Sequence, residues 1–395
     1  MKIVLVGSYP PSKMGLNEYN WHLAQELKRD PSIELKVLAD ILPERLKAQE
    51  VKEPFVERCW KYNCWFNFWK ILRAIQKEKP DCIWFDLLFS TFGDKNVLAF
   101  LGLFSPWLSR LAGFYTIVTL HHLAEFIDFQ DTKFKEISNV EKLATMLATK
   151  MILRADAVFV TLNKYARLLR DKYRAKNAHR ILHGFFTSND PELAPLNTKN
   201  ILLFGKFGSY KKIDFMIEVF QALREEIPGV TLTVAGRSHP TYPGYIEDAI
   251  ARYHDVPGLI FTGYLKENEL GHIFRHSDVL ALPYSSTTGV SGVAHIACAY
   301  GLPIVASDLP DILSMVQEEG ISLMTFPAGD KHAAVALFKR MLEDANLMKE
   351  MGRRNCLIAQ LSSIAMIVDQ YKAFIKNFSR RLNGKTAADH GSDRS

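Results

Sequence analysis

The chain lacks most of the features that would tie it to a stapled, metal-bound or membrane-spanning class. Its five cysteines, spread over 395 residues, are odd in number and form no C-x2-C pair. A disulfide framework or zinc site is therefore not expected, and a reducing cytoplasm is. No apolar run approaches the ~20 residues of a spanning helix. The longest without a charge, Val97 to Leu108, is interrupted by Ser105 and Pro106. D-x-D, H-E-x-x-H, the full Walker pattern and G-x-G-x-x-G are all absent. Metal-dependent transfer, zinc hydrolysis and dinucleotide redox chemistry thus lack their usual ligands, and no metal site is assigned. A strong excess of one charge is missing too: 49 basic against 43 acidic residues leave +6, too little to call for a nucleic-acid partner.

What is present is an ordinary globular composition, 48% hydrophobic and 23% charged, at a length that suggests two to three domains. Met1–Gly7 reads as a buried first strand rather than a signal peptide. Further strand-like runs follow at 33–38, 82–85, 116–120, 157–160 and 180–182, separated mostly by helical patterns. Asn17–Leu27 is one such helix, with Tyr19, Leu23 and Leu27 on one stripe. The second half repeats the alternation, with strands at 201–204, 231–234, 259–261, 279–282, 304–306 and 321–325. The predicted fold is α/β: two doubly wound, Rossmann-like domains facing a central cleft. The expected boundaries are an N-terminal domain 1–185, a Pro/Asn/Asp-rich linker 186–199, a second domain 200–365, a C-terminal helix 366–382 and a polar, disordered tail 383–395.

Several positions could carry chemistry at the carboxyl ends of these strands, where open α/β sheets bind ligands. Gly205, Lys206 and Lys211 follow the strand at 201–204. Two cations there suit a diphosphate, or are simply solvated lysines. Ser285–Gly292 leads from a strand into the helix 292–300. Its helix start is either an anion site or an ordinary capped terminus. Gly263-Tyr264-Leu265 is a strand-to-helix turn. Gly7–Asn17, containing Gly15, is a loop after the first strand, either ligand-facing or a plain turn capped by Asn17. His121 and His122 end the strand 116–120, where an imidazole either bonds a substrate hydroxyl or caps the open strand end.

This layout resembles the GT-B retaining glycosyltransferases of family 4 (glycosyl transferases group 1), over roughly residues 1–380 and most strongly over 200–330. The resemblance implies that Lys206, standing where arginine is usual, and Lys211 bind the donor diphosphate. It implies that Gly15, Gly205, Thr288, Gly289, Val290, Ser291 and Gly292 line the donor site, and that Gly263, Tyr264 and Leu265 lie beside the nucleobase. His121 would face the donor sugar, and Asp278 would be structural. The family's two glutamates are replaced by Thr288 and Ile296. Three readings of that loss are open: other groups such as His295, Ser291 and backbone N–H hold the donor, another donor is used, or catalysis is lost.

The implied activity is metal-independent transfer of a hexose, with retention, from a nucleotide-diphosphate sugar to a hydroxyl of a glycan or lipid-linked acceptor, as in cell-surface polysaccharide synthesis. No cofactor is needed beyond that substrate. The alternative is a catalytically inert protein of the same fold that binds nucleotide or glycan, or partners an active transferase. One further segment stands out. Between Cys59 and Lys79 lie six large aromatics interleaved with basic residues. They form either a peripheral contact with the inner face of the membrane or a buried helix covering the first sheet.

Overall fold

The computed structural model describes residues 1–123, 125, 139–186, 198–239, 242–287 and 289–389. The chain divides into two compact units, Met1–His121 with Val140–Gly184 and Ile364–Ser395, and His122–Asn139 with Phe185–Ser363. In the first unit β1 (Lys2–Val6), β2 (Glu34–Asp40), β3 (Val56–Trp60), β4 (Cys82–Leu87), β5 (Thr116–Leu120), β6 (Ala157–Val160) and β7 (Ala178–Arg180) form one parallel sheet. Its order is β3-β2-β1-β4-β5-β6-β7. In the second unit β8 (Asn200–Phe207), β9 (Thr231–Ser238), β10 (Leu259–Gly263), β11 (Val279–Leu282), β12 (Ile304–Ser307) and β13 (Leu323–Phe326) pair in parallel. Their order is β10-β9-β8-β11-β12-β13. Both sheets are doubly wound, as expected.

The apolar runs form strands because both faces of each sheet are covered. Ile3, Val4, Leu5 and Val6 are all fully buried. In β8, Ile201 and Leu203 join one apolar cluster, with Phe220, Leu223 and Val234, while Leu202 joins the other, with Phe274, Leu280 and Leu282. That is the two-residue alternation of a strand between two helical layers. Each sheet starts at an inner strand and reverses direction once. The reversal falls between β1 and β4 in the first unit and between β8 and β11 in the second. Such switch points open a crevice at the carboxyl ends of the strands.

Four expectations are corrected. The edge strand β3 was not anticipated, because its Glu57 and Arg58 break the apolar pattern; both are half-buried at the sheet's margin. β7 ends at Arg180 rather than running 180–182. The C-terminal helix spans Ile364–Asp389 and belongs to the first unit rather than standing apart. Its Ile364, Ile367, Val368, Tyr371 and Ile375 are buried at helical spacing. Finally, the tail expected from residue 383 begins later, because the helix runs on to Asp389. Residues 390–395 and most of the 186–199 linker lie outside the described residues.

Tyr371 anchors that helix. Its ring lies 4.0 Å from Trp84 and 4.8 Å from Phe159, and its hydroxyl is 2.8 Å from Thr119 Oγ1. Tyr371→Ala is expected to destabilise the first unit by about 3–5 kcal/mol. Tyr371→Phe, which loses only the hydrogen bond, should cost about 1 kcal/mol. Urea unfolding of the two variants checks both values.

Candidate functional site

The richest constellation lies at the switch point of the second sheet. After β8 the chain makes a tight turn, Ser209–Lys211, that folds Lys211 back under the strand end. Lys211 is 6% exposed. Its Nζ donates to the Phe204 carbonyl at 3.3 Å and to the Tyr284 hydroxyl at 2.9 Å. It lies 4.7 Å from the centre of the Tyr284 ring. Tyr284 follows β11, so this one ammonium ties together the two strands that flank the switch point. Ser291 is the N-cap of the helix Gly292–Ala299 that follows. Burial pushes the Lys211 ammonium below its ordinary value, with Tyr210 opposing, and raises the Tyr284 phenol.

Gly205 makes this seat possible. A Cβ there would come within 2.6 Å of Lys211 Nζ and 3.5 Å of Val293 Cγ2. Its φ of +133° is also one that side-chain-bearing residues rarely adopt. The partner residue on β9 is Gly236, with φ +143°, and the register then pairs Lys206 with Arg237. Arg237 was missed in the sequence, although Phe204-Gly205-Lys206 and Ala235-Gly236-Arg237 are visible echoes of one another. Its guanidinium lies 5.1 Å from the Tyr264 ring, and its Nε is buried without a hydrogen-bond partner among the described residues. Adjacent strand ends therefore present Gly263-Tyr264 on β10, Arg237 on β9 and Lys206 on β8, in that order. Tyr264 is 54% exposed, while Leu265 packs against the apolar cluster.

The loop before Gly292 differs in detail from expectation. Gly289 N is not available to an anion, because it donates to Asp311 Oδ2 at 2.8 Å. Ser291 Oγ accepts from Ala294 N, and Val290 packs on the apolar cluster. The N–H groups of Gly292 and Val293, in the first turn, have no helical acceptor. Thr288 lies outside the described residues. Ile296 packs against the apolar cluster. His295, one of the groups considered as a substitute for the missing carboxylates, is fully buried. Its Nδ1 donates to Ser291 O at 2.8 Å and its Nε2 lies 2.7 Å from Glu319 Oε2. Burial alone would lower its pKa, but the Glu319 carboxylate and the Ser291 carbonyl outweigh this and raise it. His295 thus anchors the N-cap residue and is closed off from solvent, as in the packing reading. Asp278 is likewise structural: its carboxylate accepts from Lys199 N, and its own N–H donates to Asn200 O.

In the first unit, the switch point between β1 and β4 holds the loop that contains Gly15. A Cβ on Gly15 would come within 2.6 Å of Leu88 Cδ1, just past β4. Asn17 does not cap the following helix, because it lies inside it and its Nδ2 donates to Ser12 O at 2.8 Å. The residue preceding the helix is Leu16, which has no side-chain cap bond. One strand over, His121 ends β5 at 5% exposure. Its Nε2 donates to Asp86 Oδ1 at 2.8 Å. Asp86 sits on β4 and is itself buried. Since a carboxylate only accepts, this bond fixes the ring. Nδ1 is left buried and without a partner among the described residues. The Tyr19 ring packs edge-on against His121 at 4.8 Å.

Three comparisons with known proteins bear on this geometry. Sucrose-phosphate synthase from Thermosynechococcus elongatus superposes with a TM-score of 0.74 at 19% identity, covering 96% of this chain and all of that one. Anabaena Alr3699/HepE, solved in complex with UDP-glucose, gives a TM-score of 0.67 at 16% identity, covering 95% of this chain and 100% of that one. The chain has the GT-B fold. A putative UDP-N-acetylglucosamine 2-epimerase from Listeria monocytogenes shares the architecture, with a TM-score of 0.63 at 14% identity over 96% of this chain and 97% of that one. Fold alone therefore does not choose the chemistry. Residues 198–344 match the family model for glycosyl transferases group 1. An uncharacterized glycosyltransferase of Haemophilus influenzae is 24% identical over 221 residues, which is 55% of this chain and 60% of that protein's length.

Within this GT-B chain one more residue belongs to the cation group. His239, just beyond β9, is held down to about 4 by burial and by Lys206, Lys211 and Arg237. It is neutral in the folded protein, whereas in the unfolded chain it protonates near 6.5. Its contribution to stability is therefore complete above pH 6.5 and is lost as pH falls towards 4, by about 3 kcal/mol over the whole interval. Urea midpoints for the wild type and His239→Gln over this pH range test the effect. The wild type should lose stability more steeply on acidification, and the variant should lack that component.

Proposed function

We propose that the protein is a glycosyltransferase acting on a nucleoside-diphosphate sugar. The observation that carries this reading is the buried ammonium of Lys211, seated at the switch point with no carboxylate partner among the described residues. A buried charge without a counter-charge is costly, and a bound diphosphate would complete the set. Lys206 and Arg237 on neighbouring strand ends and the first-turn N–H groups of Gly292 and Val293 add donors that suit the same anion. The match of residues 198–344 to glycosyl transferases group 1 supports the same reading.

In this mechanism the sugar–phosphate bond breaks as negative charge grows on the leaving diphosphate. Lys206, Lys211 and Arg237 offset that charge, and the helix start at Gly292 contributes its dipole. The cations do what a divalent ion does in metal-dependent transferases, so the transfer is metal-independent. The departing phosphate takes the proton of the acceptor hydroxyl, so no protein nucleophile is required, and the anomeric configuration is retained. In the first unit His121, locked by Asp86, keeps Nδ1 to accept from a sugar hydroxyl. Tyr264, beside Arg237, lies where the nucleobase stacks. The acceptor is a hydroxyl of a glycan or lipid-linked saccharide.

Thermal unfolding with UDP, GDP and ADP tests the donor site. A ligand at 100 times its Kd stabilises by about 2.7 kcal/mol, and one nucleotide should give a clear upward shift. Lys211→Met, which preserves the packing of the stem, and Lys206→Ala/Arg237→Ala should each abolish it. An unchanged shift in both variants would refute the diphosphate assignment. His121→Ala should leave nucleotide binding intact and lower kcat by about 100-fold, read as nucleotide released from the donor with acceptor extract.

A second reading, nucleotide binding without turnover, is favoured by one observation: Ile296, in place of the family's ribose-binding carboxylate, is packed among apolar side chains. Nucleotide-dependent stabilisation with no release from any donor would select it.

A further inference from the structure

The helix Asn67–Glu78 covers the first sheet with one face only. Its buried residues are Asn67, Ile71, Ala74 and Ile75. Of the six large aromatics of this segment, Trp60 is fully buried, but it lies on β3 and not on this helix. Trp65, Phe66 and Trp69 are instead 57, 63 and 59% exposed. Scattered exposed aromatics are unremarkable, but three within five residues form a patch that needs a partner. Packing against the sheet therefore does not account for them.

The patch is rigid and basic. Asn67 closes the preceding loop by bonding both backbone groups of Lys61: its Oδ1 accepts from Lys61 N at 3.0 Å and its Nδ2 donates to Lys61 O at 2.8 Å. Asn63 N donates to Phe92 O at 2.9 Å, pinning the loop tip. No acidic residue occurs from Arg58 through Lys77. Lys61, Lys70 and Arg73 are exposed around the aromatics. Lys77 is partly neutralised by Glu57 at 3.3 Å, and the nearby Asp94 accepts from Asn63. Trp69 and Arg73 are four residues apart on the helix, so ring and cation share one exposed stripe.

We propose that this face docks onto an anionic phospholipid bilayer, with Trp65, Phe66 and Trp69 at headgroup depth and Lys61, Lys70 and Arg73 against the phosphates. Tryptophan with lysine and arginine on one face is the chemistry of the membrane interface. A second copy of this chain would meet the same positive charge and be repelled. Among the described residues no helix is long and apolar enough to cross a membrane, so the contact is peripheral. It does not depend on the donor site.

The test is co-sedimentation of the full chain, without nucleotide, with phosphatidylcholine vesicles that contain or lack phosphatidylglycerol. Binding is expected only to the anionic vesicles, weakening as salt is raised. Trp65→Ser/Phe66→Ser/Trp69→Ser should weaken it at least about ten-fold, and Lys70→Gln and Arg73→Gln about five-fold each. The thermal unfolding midpoint without nucleotide serves as the control for folding and should be unchanged in all of them. No binding to anionic vesicles, equal binding to neutral ones, or full binding by the triple aromatic variant would overturn the proposal. So would a dimer in sedimentation velocity that the triple variant dissolves while vesicle binding is absent.

Discussion

The second unit is organised around one buried ammonium. Lys211 reaches back from the turn after β8 to the Phe204 carbonyl and across to the Tyr284 hydroxyl beyond β11, and so spans the place where the sheet reverses its winding. The surrounding constraints follow from fitting it there. Gly205 must lack a side chain, since a Cβ would press on Nζ. Gly236 must lack one too, because its Cβ would run into the Gly205 carbonyl. With both strand ends bare, Lys206 and Arg237 come into register. Tyr284, just past β11, receives the ammonium from the other side of the switch point. Seating a cation this deeply lowers its pKa.

The helix that starts at Gly292 is braced from below the surface. The helix Gly292–Ala299 carries a carboxylate neither at Ile296 nor elsewhere along its length, but Glu319 from the next helix reaches His295 in the core. That pair does not touch the loop's outer face. It holds the Ser291 carbonyl, and with it the orientation of the helix start. His295 and Glu319 thus form a buried hydrogen-bonded brace.

Much of this was legible in the sequence, for identifiable reasons. Fully covered parallel strands appear as unbroken apolar runs, so Thr116–Leu120, Ala157–Val160 and Val279–Leu282 were located to the residue. Lys211 was marked by its place after a strand, whereas Gly205, expected just past 201–204, lies within β8, which runs on to Phe207. What escaped depends on neighbours across the sheet. Arg237 matters because register sets it beside Lys206, Tyr284 because its strand adjoins β8, and Asp86 because β4 lies next to β5. No local pattern encodes those pairings. The edge strand β3 escaped because a half-exposed strand keeps its charges. Asn17 misled because an asparagine near a helix start is usually its cap, whereas here its amide is used by the loop.

The return of the chain to its first unit has a consequence for synthesis. Phe185 and Ser363, the points at which the second unit's main segment begins and ends, are bridged to one another, and Phe185 N bonds Ser362 O. Apart from residues 122–139, that unit is a continuous stretch whose ends meet. It holds its complete set of sheet strands as soon as Ser363 has left the ribosome. The first unit, although translated first, still lacks Tyr371 and the rest of its last helix at that moment. Trp84 and Phe159 then lack the Tyr371 ring. The first unit therefore cannot complete its core before the second has been synthesised, even though N-terminal domains usually fold first.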